Sequence, residues 1–265
     1  MFFQSISIVL ASALLSLLSF NVKSTIVEIR TSLGVVQVNL FDNTTPQTVA
    51  NFLSYANSGA YANNVVHRSV SNFVVQGGGF TYTGPVDVNN FSLDSISTGT
   101  PVANDPKLSN VRGTIAMAKT SNPDSATSQC FINLSNNSSS LDVASNSGGF
   151  TVFGEIIEGM ENVDAIAGVH RCNGSSIPTP GLTSEQCSNA SFVPGAENFV
   201  TIISADIYDD TVNSADSLTP VKNTSLPVTP PVTPEPPKSS SGGGSIAWFG
   251  LAFTALISIR RFLKK

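Results

Sequence analysis

His67 and Arg68 stand inside the apolar run Val65 to Val70, where a charged side chain needs a reason. An arginine is costly to desolvate, so one in a strand otherwise fit for burial either faces a cleft or finds a partner. On its own, such a residue is most often part of a surface ion pair. The segments that follow shift the balance, for they supply Phe73, Val74 and Gln76, then Gln129 and Phe131, then Leu141. Apolar and amide side chains on successive segments are what a small apolar pocket with few polar groups requires. The chemistry open to this set is hydrogen bonding from a guanidinium beside an apolar surface.

Other chemistries lack their parts. His67 and His170 are the only histidines and no metal-ligand spacing surrounds them, so neither a metal nor a cofactor is expected. Gly77, Gly78 and Gly79 follow a strand-like run, but no Lys-Ser/Thr pair comes after them to build a phosphate loop. Cys130 lies between Gln129 and Phe131 in an apolar run and reads as a buried, inert thiol. Cys172 and Cys187 fall in the polar stretch Arg171 to Gly195, which reads as a surface loop. In an oxidising compartment they are expected to pair, closing a loop of about 15 residues for roughly 3 kcal/mol of chain entropy. Residues 25–211 carry 6 Lys+Arg against 16 Asp+Glu, an acidic balance that argues against nucleic acid as a partner.

The elements that must position these residues are mostly short strands. Thr25 to Arg30 and Val35 to Leu40 alternate apolar and polar residues around a turn at Ser32, Leu33 and Gly34, which predicts a hairpin with one buried face. Val49, Phe52, Leu53 and Ala56 recur at helical spacing after Pro46, predicting a helix over Pro46–Asn57. Further strands are expected at Val65–Val70, Phe73–Gln76, Gly113–Ala118, Gln129–Leu134, Phe150–Ile157 and Phe199–Ile207, and a second helix at Met160–Ile166. The fold class is therefore mainly β: a closed eight-stranded antiparallel barrel capped by two α-helices.

Both ends of the chain differ from its middle. Ile6 to Phe20 is apolar apart from small serines, and Val22, Lys23 and Ser24 suit a signal-peptidase site, so residues 1–24 read as a signal peptide. The lack of Lys or Arg in the first residues leaves an uncleaved anchor open. Residues 212–244 are rich in Pro, Ser, Thr and Gly and read as a linker, extended and solvated from Thr219 onward. Residues 245–265 hold a short apolar segment followed by Arg260, Arg261, Lys264 and Lys265. The segment is just long enough to span a bilayer if its basic residues snorkel, and the positive-inside rule then places residues 25–211 on the far side.

The run His67-Arg68-Ser69-Val70-Ser71-Asn72-Phe73-Val74-Val75-Gln76-Gly77-Gly78-Gly79 resembles the cyclophilin signature FHRVIPGFMIQGGD. Arg112 to Lys119, Asp124 to Asn133 and Val152-Phe153-Gly154 are similar to the same family in order and spacing, with bacterial periplasmic members the nearest in kind. The resemblance implies a peptidyl-prolyl cis-trans isomerase in which Arg68 is catalytic. It implies Phe73, Val74, Phe131 and Leu141 as the proline pocket, and Gln76 as a binder of substrate backbone. Ala118 with Lys119 stands where the family has an Ala-Asn pair that meets the substrate, and Phe150 stands for a pocket-wall histidine. Gln129 and His67 complete the substrate-binding set, with His67 structural or orienting. The Gly-Gly, apolar, basic order at the C-terminus resembles GlyGly-CTERM sorting tails, with a permanent anchor as the alternative.

Several positions depart from the signature. Val66 replaces Phe, Ser71-Asn72 replace Pro-Gly, Val74 replaces Met, Cys130 replaces an aromatic, and Ser140 stands where Trp or Phe is common. They imply a shallower or reshaped pocket and weak cyclosporin binding. The expected partners are proline-containing polypeptides, with membrane contact through the C-terminal segment unless it is processed. The chain is expected to be an exported monomer, in the periplasm or at the outer surface. A second reading stays open, a peptide-binding chaperone module with little or no turnover.

Overall fold

The computed structural model describes residues 25–88, 91–210, 215 and 218–226. The expected signal peptide, most of the linker and the C-terminal apolar segment lie outside the described residues. In chain order the elements begin β1 (Ile26–Thr31), β2 (Gly34–Leu40), α1 (Pro46–Asn57), β3 (Asn64–Val65), β4 (Arg68–Val70), β5 (Val74–Gly77) and β6 (Phe80–Thr81). They continue β7 (Asp94–Ser95), β8 (Thr114–Met117), β9 (Cys130–Asn133), α2 (Ser138–Leu141), β10 (Val152–Glu158), α3 (Met160–Gly168), α4 (Ser184–Ser188) and β11 (Thr201–Asp209).

The strands form one curled antiparallel sheet in the order β4-β5-β9-β8-β10-β2-β1-β11-β3-β6-β7. Its eleven strands replace the eight expected, and no ladder joins the end strands β4 and β7 among the described residues. The expected strand Val65–Val70 is broken at Val66-His67. Val66 donates its N–H to Val200 at 2.8 Å, at the start of β11, whereas Arg68 pairs across to Gln76 on β5. One short crossing therefore carries the chain from β3, next to β11, to the end strand β4. β6 and β7 are two-residue strands with no alternating pattern to betray them. The two expected helices are present as α1 and α3, and the short α2 and α4 add to them.

Period-two alternation sorts the strand residues between two apolar clusters. Val75, Ile115, Met117 and Ile132 face an interior that also holds Val27, Val36, Val38, Phe52 and Phe153. Their neighbours Val74, Ala116 and Phe131 turn the other way and gather with Phe41, Leu108, Leu141 and Val152. α1 closes the interior with Val49, Phe52, Tyr55 and Ala56, starting at a proline whose missing N–H costs nothing there. The second cluster is open to solvent on one side and forms the floor of the site.

Part of the expected linker is structured. Leu218 packs against the second cluster. Leu108 and Lys222 form a β-bridge, Ser109 donates its N–H to Val221 at 2.8 Å, and Asn223 donates its N–H to Lys107 at 2.9 Å. The Asn223 amide also reaches the carbonyls of Pro106 and Asp142, both at 3.0 Å. The compact part thus includes residues 218–225, beyond residue 211, which a composition of Pro, Ser and Thr does not reveal because backbone pairing and one asparagine do the docking. Asn223→Ala leaves two carbonyls short of a donor, at about 1–3 kcal/mol. Thermal unfolding followed by circular dichroism should show a Tm lower by several degrees, and an unchanged Tm would remove the strap's structural role.

Candidate active site

Arg68 lies opposite Gln76, Gln76 opposite Phe131, Phe131 opposite Ala116 and Ala116 opposite Val152, a single row across β4, β5, β9, β8 and β10. A guanidinium, an amide and a phenyl ring are thereby set on one face. Arg68 Nη1 donates to Gln76 Oε1 at 3.3 Å, and Gln76 Nε2 donates to Gln129 Oε1 at 2.9 Å. The guanidinium carbon stands 5.6 Å from the centre of the Phe73 ring. The ion pairs among the described residues are Arg30–Glu28, Lys107–Asp105 and Arg112–Asp164, so Arg68 is not held by a carboxylate. Its donors face a cleft lined by Phe73, Val74, Gln76, Ala118, Lys119, Phe131, Leu141, Asn146 and Phe150.

The apolar end of this cleft is made of rings. Phe131 and Phe150 meet edge to face with centroids 5.8 Å apart, and Leu141 on α2 closes the floor. At the rim the Lys119 ammonium sits 4.4 Å from the Phe150 centroid and donates to the Ser147 carbonyl. Burial lowers the Lys119 pKa, while the Asp124 charge works against that shift. The glycines after β5 have a spatial role instead of a phosphate-binding one. A Cβ on Gly79 would come within 2.6 Å of the Gln129 side chain, and Gly78 adopts φ +82 close to Ser128. Glycine there leaves Gln129 room to brace Gln76.

Nine of the sequence-derived site residues line the cleft, and two do not. Gln129 stands behind Gln76 as its hydrogen-bond acceptor, whereas His67 lines a neighbouring cleft beside Val88 and Phe91. The His67 ring makes an edge contact with Phe80 at 4.7 Å. Burial lowers its pKa, the Val65 backbone and Gln129 oppose the shift, and the adjacent Arg68 charge adds to it. His67 is therefore a neutral, packed ring next to the arginine. Of the departures from the family pattern, Val74, Lys119 and Phe150 line the cleft, whereas Val66 and Cys130 face the apolar interior. Burial pushes the Cys130 thiol up to about 12, in keeping with an inert group. Asn72 holds φ +57 in the turn between β4 and β5, a left-handed conformation that asparagine accepts where glycine is usual.

A buried polar network behind the cleft escaped the sequence reading. Asn137 donates to the Phe73 carbonyl at 2.8 Å and to Asn133 Oδ1 at 2.7 Å, and Asn133 donates to Thr114 Oγ1 at 2.9 Å. Asn110 donates to Asp142 Oδ1 at 2.9 Å and to the Phe150 carbonyl at 3.1 Å. These side chains fix the backbone at Phe73 and Phe150 from beneath. Nothing in the spacing of the polar residues Ser135 to Ser140 marks Asn137 as buried. The other expected pairing is present: Cys172 and Cys187 form a disulfide with their Cα atoms 5.2 Å apart.

A sequence profile for the cyclophilin type peptidyl-prolyl cis-trans isomerases matches residues 26–188. The chain belongs to this family. A peptidyl-prolyl cis-trans isomerase of Acinetobacter baylyi is 40% identical over 168 residues, covering 63% of this chain and 83% of that one. Peptidyl-prolyl cis-trans isomerase A of Dickeya dadantii is 42% identical over 152 residues, covering 57% and 75%. Among solved structures, a Cryptosporidium parvum cyclophilin type isomerase studied in the presence of the dipeptide Ala-Pro superposes with a TM-score of 0.51 at 23% identity, covering 70% of this chain and 99% of that one. These relatives make the chain a peptidyl-prolyl cis-trans isomerase, and the likeness of fold agrees with the curled sheet.

The lowered His67 pKa gives this cyclophilin domain a pH-dependent stability of known sign. The unfolded chain takes up a proton near the ordinary histidine value of about 6.5, and the folded one does so only at lower pH. Stability assigned to His67 is thus full above about 6.5 and falls as pH drops through the window below it. His67→Gln should lose less stability than wild type between pH 7 and 5.5 in denaturant melts; parallel losses would contradict this.

Proposed function

We propose that the domain isomerises X-Pro bonds of exported polypeptides and so assists their folding, with Arg68 as the catalytic residue. The observation that carries this reading is a guanidinium without a carboxylate partner at the rim of the Phe73, Phe131 and Leu141 cleft. Rotation about an X-Pro bond is opposed by amide resonance, about 18–20 kcal/mol, and takes tens to hundreds of seconds unaided. Twisting the bond localises a lone pair on the prolyl nitrogen. A guanidinium N–H aimed there binds the twisted amide better than the planar one.

One charge-assisted hydrogen bond supplies about 1.5–3 kcal/mol, or roughly 10 to 150-fold in rate. Gripping the proline ring among Phe73, Val74, Phe131, Leu141 and Phe150 adds positional fixing, and Gln76, held by Gln129, orients the preceding carbonyl side with the backbone of Ala118 and Lys119. No proton changes hands permanently, which fits a neutral His67 outside the cleft. The competing reading is a proline-peptide-binding chaperone module with little turnover. Ser71-Asn72 and Val74 favour it, but Cys130 does not, since it turns away from the cleft. Exchange of a short Ala-Pro peptide decides. Wild type should accelerate it and Arg68→Ala should lose about 10 to 150-fold in kcat/KM; a wild-type rate equal to the spontaneous one sinks the enzyme reading.

The site of action we propose is outside the cytoplasm, in the periplasm or at the outer surface, for a monomer tethered by its C-terminal segment or released by processing of a GlyGly-CTERM-like tail. The apolar N-terminal run, the basic C-terminus and the Cys172–Cys187 disulfide support it. Mass spectrometry of the chain purified from its own cell fractions is expected to place the N-terminus at Thr25 and the C-terminus near Gly243 or at Lys265. A soluble cytoplasmic chain that retains Met1 would overturn export.

A further inference from the structure

Cleft and insert meet at β4. The stretch between α3 and β11 carries the disulfide, and Cys172, Cys187, Leu182 and Val88 form a small apolar cluster of their own with Phe91 and Phe192 packed on it. α4 starts on a capping box in which Thr183 and Gln186 satisfy each other's backbone N–H. This small body is fastened to the outer edge of β4. Ser69 donates its N–H to the Ser176 carbonyl at 2.6 Å, and Arg171 Nη2 donates to Ser71 Oγ at 3.2 Å. The free edge of the strand that bears Arg68 is thereby covered by the loop Cys172–Ile177.

That loop leaves a second cleft between itself and the sheet, lined by His67, Phe91, Asn173, Ser175, Ser176 and Ile177 among others. Arg68 lines the first cleft and the preceding residue His67 lines the second, so the two clefts border the same stretch of backbone. An extended polypeptide advances about 3.3 Å per residue, so it is the residues flanking a proline held in the first cleft that can meet the second. We infer that the disulfide-clamped loop walls a second substrate subsite, which binds an uncharged residue flanking the proline. The wall offers hydroxyl and amide groups beside an aromatic ring, and among the described residues that line it none is an Asp, Glu, Lys or Arg. A charged side chain would find no oppositely charged partner among these lining residues.

The inference rests on the isomerase reading of the first cleft, and its test separates the two. Ser176→Tyr fills the second cleft from its own wall while keeping the backbone carbonyl that Ser69 uses. Short Ala-Pro peptides and peptides extended by two uncharged residues on either side are compared by isomerisation and by direct titration. The variant should keep kcat/KM for the short probe within about twofold of wild type and raise KM and Kd for one extended series about tenfold. Ser176→Ala, which leaves the cleft open, should stay near wild type, and matching Tm values show that both variants are folded. Equal effects on short and extended peptides, or no effect on either, overturn the subsite. Absence of wild-type turnover on the short probe counts against the isomerase reading alone, because the titration still reports on the second cleft.

Discussion

The site depends on one row of residues across the sheet, Arg68, Gln76, Phe131, Ala116 and Val152, each opposite the next on five neighbouring strands. Side chains in a strand alternate between faces, so a slip of one residue in any of these ladders would exchange the cleft face for the interior face. Val75 and Ile115, buried on the opposite side, and Ile132, packed against them, resist such a slip because each would lose its apolar surroundings. The interior thus fixes the register, and the register places the guanidinium beside the rings.

Arg68 is held without a carboxylate. Gln76 accepts from it, Gln129 accepts from Gln76, and Gly78 and Gly79 leave the space that Gln129 occupies. A neutral amide orients a guanidinium without neutralising it, which leaves its field for an electron pair that appears only when an amide twists. A carboxylate in the same place would have taken the strongest donors. Beneath the rings, Asn110, Asn133, Asn137 and Asp142 hold the backbone by buried hydrogen bonds that are costly to break once water is excluded.

Beyond the cleft, two segments brace the sheet from outside it. The loop Cys172–Ile177 covers the edge of β4, and the strap around Asn223 joins the Asp142 backbone to that of Pro106. Neither belongs to the alternating pattern that builds the sheet. Each works through a few backbone or amide hydrogen bonds, and the first is also clamped by a disulfide within a small apolar cluster.

Much of this was legible in the chain. α1, the β1–β2 hairpin and most strands follow from hydrophobic period and turn residues, which act locally; the order His67 to Gly79 with Phe131 and Leu141 marks the pocket. The inertness of Cys130 follows from its apolar neighbours, and the pairing of Cys172 with Cys187 from their shared polar loop. What tertiary structure alone decided is which face each residue meets. It broke Val65–Val70 at the crossing from β3 to β4, sent His67 to a second cleft, turned Val66 and Cys130 inward, buried a network of asparagines and docked the strap at Asn223. All of these rest on contacts between residues far apart in the chain, where polar composition looks the same whether a side chain meets water or a distant carbonyl.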